Sequence, residues 1–556
     1  MNAHVSAVLF ASCLSVLLGC VDESSQESDA NVATPNIAAD AGDAHMAGDA
    51  QVQMSAAPEL RVDTGALKGV WSADGSVRSF LGIPYAKAPL GDLRFKGPQA
   101  PEAWSGVRDA SDFGGRCAQI ESTTLMNKGS ENEDCLYLNV WSTKSADKLP
   151  VMVWIHGGGN VNGSANEPVP YVNTGLFYDG EHLAKQGVVV VTFNYRLGVL
   201  GYLAHAGLMS EGEVMGNQGL WDQAFVLAWV KRNIAAFGGD PANVTIFGES
   251  AGSFDVCAHV ASPASRGLFH AAIGQSGGCT TFQPTTATAL MTTAKLSAAL
   301  GCPGDAELAC LRGKSVHDLL AAIPMVPSGN AFGPTVDGAF LPEQPRAIFD
   351  QGKAAKVPYI LGSNSDEGTL FTAGLAGTLQ SEDAYRAAVT ARFPAVAEQV
   401  LQQYPLSDYA DAPSPPLAAF ARVIGDSSLV CTTWDAAQRA AAAGNAVHMY
   451  NFDIPANSGN LGATHGSELV YVFGTSNSLS MEQSSVATLM QTYWTNLAKQ
   501  GDPNGDGLLP WPTFTTASDK RVNLSTSPSV VENFRSDKCT FWQTVYAARF
   551  ATAGAP

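Results

Sequence analysis

A serine set between glycines, Gly248-Glu-Ser-Ala-Gly252, is the sharpest chemical signal in this 556-residue chain. It directly follows the strand-like Val244-Thr-Ile-Phe247 and precedes an Ala/Val-rich helical stretch, the strand-turn-helix context in which a nucleophilic serine is held on a strained turn. Small neighbours let the chain bend that tightly while the Ser250 hydroxyl stays accessible. A second signal, His156-Gly-Gly-Gly159, follows the apolar run Val151–Ile155. Backbone N–H groups of adjacent glycines can converge on a developing oxyanion with no side chain in the way, and each such donor contributes about 2.7–4 kcal/mol of transition-state stabilisation. The two signals together point to acyl transfer through a serine nucleophile. Ten histidines are present, and spacing alone does not select the general base. His156 belongs to the glycine loop and is read as supporting its backbone.

Such a site needs rigid elements to carry it. Continuous apolar, β-branched runs recur at Val151–Ile155, Val188–Phe193, Val244–Phe247, Ala271–Ile273, Val357–Leu361 and Ala446–Tyr450. Unbroken rather than alternating runs fit strands covered on both faces. Between the second and third runs, Trp221, Ala224, Phe225 and Ala228 recur at helical spacing. The order strand, helix, strand predicts a parallel sheet with crossover helices, an α/β protein. Leu60–Val62 and Ala66–Val70, separated by Asp63-Thr-Gly65, read as a hairpin at the sheet's edge. No repeat or low-complexity break interrupts the chain beyond Leu60, so one domain over 59–556 is the simplest organisation.

Composition excludes several functions. Hydrophobic residues make up 46% and charged residues 15%, enough apolar material for a large core and too much for global disorder. Thirty-two basic against 51 acidic residues give a net charge of −19, which repels phosphate backbones and anionic headgroups and disfavours nucleic acid as a partner. The apolar run Val5–Gly19 falls short of the ~20 residues a spanning helix needs. It reads as a secretory signal over 1–20, ending in Leu17-Leu-Gly-Cys20, which resembles a bacterial lipobox and makes Cys20 a candidate for lipid attachment. No Lys or Arg precedes Arg61, so a plain secretory signal with an incidental cysteine is the competing reading. Residues 21–58 carry seven acids and few large apolar residues and read as a disordered acidic tether. Beyond Cys13 and Cys20, eight cysteines remain, an even number that an exported protein is expected to oxidise, in any of 105 pairings.

Further motifs make the pattern specific. Phe80-Leu-Gly-Ile-Pro-Tyr-Ala86 with Leu93-Arg-Phe95, Glu133-Asp-Cys-Leu-Tyr-Leu-Asn-Val-Trp141, Asn194-Tyr-Arg-Leu-Gly198, Phe237-Gly-Gly-Asp-Pro241, Gln275-Ser-Gly277, Asp366-Glu-Gly368, His465-Gly-Ser-Glu468 and Gly501-Asp-Pro-Asn504 occur in order around the serine block. From about residue 60 to 545 the chain resembles the type B carboxylesterase family, the esterase, lipase and cholinesterase group of the α/β-hydrolase fold. The resemblance implies a large, mostly parallel central sheet with helices on both faces and an N-terminal antiparallel edge. It implies a triad of Ser250, Glu367 and His465, with Asp366 the rival acid, and an oxyanion hole from the N–H groups of Gly158, Gly159 and Ala251. The order serine, acid, histidine is the one this fold uses. No metal or organic cofactor is implied, and the partner is a small-molecule ester.

The resemblance also implies the bridges Cys117–Cys135, Cys302–Cys310 and Cys431–Cys539, leaving Cys257 and Cys279 as either a fourth bridge or two buried thiols. Departures bear on substrate. The Cys117–Cys135 loop contains no Trp, the aromatic that binds quaternary ammonium in cholinesterases, which disfavours choline esters. Asn160 stands where the family often has an aromatic or aliphatic residue, which the resemblance reads as making that wall of the pocket more polar. The stretch 117–132 is the candidate lid, and Glu121, Asn127, Lys128, Glu131 and Asn132 make it polar. An esterase for small to medium, largely uncharged esters is therefore expected ahead of a lipase, and both ahead of a non-catalytic binding module. Asp502-Pro-Asn-Gly-Asp-Gly507 fits the opening of a calcium loop, but the twelfth position is Thr513 rather than Glu, so no metal is expected there.

Overall fold

The computed structural model describes residues 56–122, 128–144, 147–168, 176–302, 304–323, 332–456 and 460–553. The expected signal segment, Cys20, nearly all of the expected tether and part of the candidate lid, including Asn127, lie outside the described residues.

A twelve-stranded sheet organises the chain. Its spatial order is Ser529–Glu532, Lys520–Leu524, Val447–Phe452, Tyr359–Asn364, Ala271–Gln275, Gly239–Glu249, Leu149–Ile155, Val189–Phe193, Tyr137–Thr143, Val77–Pro84 and Val70–Trp71, with Thr513–Phe514 pairing on Val447–Phe452. The neighbours from Lys520–Leu524 to Val189–Phe193 are parallel. Both edges are antiparallel. All six strands anticipated from the apolar runs lie in the parallel stretch.

The unbroken hydrophobicity of these runs has a direct cause. In Leu149–Ile155, Val151, Val153 and Ile155 enter one buried cluster while Met152 and Trp154 enter another on the opposite face. Successive strand residues point to opposite faces, so a strand covered twice must be apolar at every position. The helix Gln218–Asn233 covers the first face through Val226, Leu227, Trp229 and Val230. The helix Met481–Gln500 covers the second through Val486, Met490, Tyr493, Trp494 and Leu497. Its start is fixed by reciprocal bonds between Ser480 and Gln483 and its end by Gly501 at φ 74°.

Two expectations change in detail. The helix at 218–233 forms, but Trp221, Phe225 and Ala228 lie on its half-buried side. It is buried almost all round, so its period did not mark the inner face. The N-terminal hairpin also forms, with Glu59 opposite Lys68. It belongs, however, to a separate three-stranded sheet completed by Val107–Asp109 rather than to the main sheet's edge.

Four disulfides link the eight cysteines of the described residues: Cys117–Cys135, Cys257–Cys279, Cys302–Cys310 and Cys431–Cys539. Several sequence blocks act as clamps. Arg94 donates to Glu133 Oε1 at 2.7 Å and to the carbonyls of Arg312 and Lys314. Arg196 makes a fork of bonds, 2.7 and 2.8 Å, to the fully buried Asp222, the bidentate geometry that compensates burial of the charges.

Candidate active site

The carboxyl ends of adjacent parallel strands are where an open α/β sheet presents its ligand crevice. Here those ends deliver the glycine loop after Ile155, Ser250 after Glu249, Ser276 after Gln275, Glu367 after Asn364, and His465 in the loop after Phe452. Ser250 occupies φ 56°, ψ −124°, a conformation costly for a non-glycine residue, between the strand Gly239–Glu249 and the helix Ala251–Ala261. Its N–H is tied to Gln275 O at 2.8 Å on the neighbouring strand. The flanking glycine follows from space: a Cβ on Gly252 would lie 2.0 Å from Ile155 O. The glycine loop sits directly on this turn, since a Cβ on Gly157 would lie 2.8 Å from Glu249 O and 3.0 Å from Ser250 Cβ. Ala251 begins its helix, so the positive end of the helix dipole faces the same place.

Glu367 and His465 meet. Glu367 Oε2 lies 2.7 Å from His465 Nδ1, and both side chains are buried. The other carboxylate oxygen accepts from Ser276 Oγ at 2.5 Å and from the Asn364 N–H at 2.7 Å. Asp366 turns elsewhere: it accepts from the Ala463 N–H at 3.0 Å and contacts Arg422 at 3.2 Å. Of the two candidate acids, the structure brings Glu367 to the imidazole. The opposite ring nitrogen, Nε2, lies 3.2 Å from Glu249 Oε1, the residue before Ser250. No hydrogen bond joins the Ser250 hydroxyl to the imidazole among the described residues; the imidazole reaches the residue before Ser250 through its contact with Glu249. Phe371 covers the imidazole from one side, ring centroids 5.0 Å apart.

The site is electrostatically unusual. Burial pushes the His465 imidazole down, but the carboxylates of Glu249 and Glu367 outweigh it and leave the group above its ordinary value. Burial drives Glu249 upward, with His465 pulling the other way. A third carboxyl, Glu468, is also pushed up by burial and by Glu367; it accepts from Gln275 Nε2 at 3.0 Å and Asn364 Nδ2 at 2.6 Å. Gln275 is oriented in turn by Trp494 Nε1 at 3.0 Å. Ser276, Glu249 and Glu468 were not singled out from the sequence. Ser276 and Glu249 adjoin Gln275 and Ser250, and Glu468 stands three residues past His465, each inside a quoted block, and that proximity was the available signal.

His156 behaves as a supporting residue. Its ring stacks on Tyr195 at 4.4 Å, its Nδ1 lies 2.9 Å from Gly157 O, and burial lowers it to about 4, so it stays neutral. Asn160 does not present its amide as a polar wall: it is 4% exposed and bonded inward to Asp255 at 3.1 Å. Asp502 accepts from the Asn504 N–H and side chain at 2.9 and 2.8 Å, closing a turn. Among the described residues no group of three or more His, Cys, Asp or Glu side chains is arranged to hold a metal ion.

Residues 56–542 match the family model described as the carboxylesterase family. The chain is 36% identical over 521 residues to a cholinesterase of Mus musculus, covering 85% of this chain and 84% of that protein. It is 34% identical over 557 residues to a medium-chain fatty acyl-CoA hydrolase precursor of Anas platyrhynchos, covering 88% and 92%.

Proposed function

The chain belongs to the carboxylesterase family of serine ester hydrolases, and from that premise we propose that Ser250, Glu367 and His465 are its triad and that it hydrolyses small to medium, largely uncharged carboxylic esters. His465 removes the Ser250 proton as the hydroxyl oxygen attacks the ester carbonyl, and Glu367 orients the imidazole and stabilises its cation. The N–H groups of Gly158, Gly159 and Ala251 receive the oxyanion. The alcohol leaves with the proton held by His465, and water activated by the same imidazole then releases the acid from Ser250. The observation that carries this reading is the 2.7 Å contact between His465 Nδ1 and a Glu367 already held by two further donors, with Nε2 3.2 Å from Glu249, the residue before Ser250.

We further propose one folded domain over 59–556 behind a signal segment and acidic tether, export from the cytosol, and Cys20 as a lipid attachment site. Four disulfides support export, since they form and persist in oxidising compartments. The test of function is labelling by a fluorophosphonate, followed by a nitrophenyl ester chain-length series that includes a choline ester and a medium-chain acyl-CoA. Labelling at Ser250 with turnover highest on short neutral esters is expected. A rate jump at the emulsion boundary moves the protein to the lipases, and absence of labelling makes it a binding module.

A further inference from the structure

Beyond the residues that surround His465, the glycine loop has its own buried anchor. Gly158, Gly159 and Asn160 have φ of 108°, 67° and 59°, three successive residues in the left-handed region. Asn tolerates that region better than other side-chain-bearing residues, which accounts for its backbone but not for its amide. The amide is spent inward. Asn160 Nδ2 donates to Asp255 Oδ1 at 3.1 Å, Asn160 Oδ1 accepts from Tyr195 OH at 3.2 Å, and the Asn160 carbonyl accepts from the Gly198 N–H at 2.7 Å. The single Tyr195 O–H is shared with the carbonyl of His156, where the loop begins, at 2.8 Å.

Asp255 stands on the helix Ala251–Ala261 that starts immediately after Ser250, and it is fully buried. Its second oxygen accepts from Gln223 Nε2 at 2.6 Å. Gln223 is fixed in turn by His259 Nε2 at 2.8 Å, and His259 Nδ1 lies 2.7 Å from Ser265 Oγ. Its side-chain partners are two amides rather than a cation, and burial raises the carboxyl to about 7. For stability alone a carboxyl in this place is a liability, because removing it from water is not compensated by an opposite charge. Its geometry is what distinguishes it: it is a direct side-chain link between the glycine loop and the helix that follows Ser250.

We propose that Asn160 and Asp255 form a positioning pair, a buried strut that holds the glycine loop at a fixed distance and angle from Ser250 so that the loop N–H groups meet the oxyanion. The proposal rests on the reading of that loop as the oxyanion donor. The strut touches neither substrate nor reacting atoms. It acts on the transition state because misplacing donors by a fraction of an ångström weakens stabilisation without changing how the ester binds.

The test uses the purified full-length protein, nitrophenyl butyrate as substrate and an alkyl trifluoromethyl ketone as a probe of the tetrahedral adduct. Asn160→Gly keeps the left-handed backbone and removes the amide; Asp255→Ser removes the acceptor. Each is expected to lower kcat by about 10- to 100-fold with KM within about threefold, and to raise the ketone's inhibition constant in proportion to the loss in kcat. The double variant is expected to be no worse than about twofold below the weaker single, since both remove one strut. Asp255→Asn keeps an acceptor for Asn160, and Gln223 can reverse its amide against the neutral His259, so kcat is expected within about threefold of the parent. Single variants with parental kcat, or with the loss entirely in KM, overturn the proposal, as does additivity in the double variant. Should Asn160→Gly fail to fold, the contrast between Asp255→Ser and Asp255→Asn decides alone. A parent protein that turns over no ester and takes no fluorophosphonate overturns the functional reading itself, a result distinct from an active parent with indifferent variants.

Discussion

A cluster of three buried carboxyls and a single buried one both lie near Ser250, and they differ in what faces them. On the side of Glu249, three carboxyls, Glu249, Glu367 and Glu468, gather around an imidazole that is in contact with two of them. On the side of the following helix, Asp255 is met by the amides of Asn160 and Gln223. An imidazole gains and loses a proton near neutrality, so the first cluster can store and return the proton that acyl transfer moves. Amides do neither, so the second can only fix geometry. The same side-chain chemistry is thus put to two uses by the choice of partner.

The comparison is tested first where it predicts the largest loss. Ser250→Ala is expected to lower kcat by on the order of 10⁶-fold, by analogy with the measured loss for a serine nucleophile in another hydrolase. Near-parental turnover of nitrophenyl butyrate by that variant would end the serine mechanism. Next, Glu367→Gln retains the shape of the acid and an acceptor for Ser276 but removes the charge at His465 Nδ1. A loss of about 10⁴-fold in kcat is expected, as for an acid whose amide leaves the imidazole in the wrong tautomer. A loss under about tenfold would put Glu367 with Asp255, among groups that only hold geometry.

A stability experiment separates the bridges from both sets of side chains. Cys257 lies on the helix after Ser250 and Cys279 three residues beyond Ser276, the residue that holds Glu367, so their bridge ties that helix to the support of Glu367. Replacing both by Ala is expected to cost about 2–4 kcal/mol of stability, read as a lower thermal midpoint. Because the side chains of the site keep their partners, kcat at 25 °C is expected within about fivefold of the parent. A larger loss in kcat with an unchanged midpoint would make the bridge part of the catalytic geometry instead.

How much of this was legible in the residues depends on range. The turn at Ser250 was readable because its requirements are local: strand, two glycines and helix stand within a few positions, and Gly252 is demanded by the Ile155 carbonyl against it. Strands covered on both faces were equally plain, since Val151–Ile155 is apolar at every residue. Glu367 and His465 are 98 positions apart, and nothing in their local spacing pairs them; family resemblance named them, and the folded chain places them at 2.7 Å. Asn160 was visible as an oddity, but its meaning lies in Asp255, 95 positions on, and no local pattern joins the two. The inner face of the helix Gln218–Asn233 was obscured for another reason: Asp222 and Gln223 are buried on it for their hydrogen bonds, which breaks the apolar period.

The smallest expected effect sharpens the comparison most. In the proposed mechanism His465 acts as a base only when neutral, so kcat/KM is expected to rise with pH as the imidazole loses its proton. Its ordinary value of 6.5 is lowered by burial but raised further by Glu249 and Glu367, so the acid limb of the profile is expected above 6.5. Glu249→Gln removes the carboxylate 3.2 Å from Nε2. The imidazolium loses a stabilising charge, its proton leaves more readily, and the limb moves to lower pH. Because burial already raises the Glu249 carboxyl and weakens its charge near neutrality, the displacement is expected to be modest, about one pH unit. Glu468→Gln should move the limb the same way by less, since that carboxyl bonds Gln275 and Asn364 rather than the ring. Asp255→Asn should leave the limb where it is. A limb that stays put for Glu249→Gln, or moves for Asp255→Asn, would dissolve the distinction between a cluster that handles protons and a carboxyl that holds a loop.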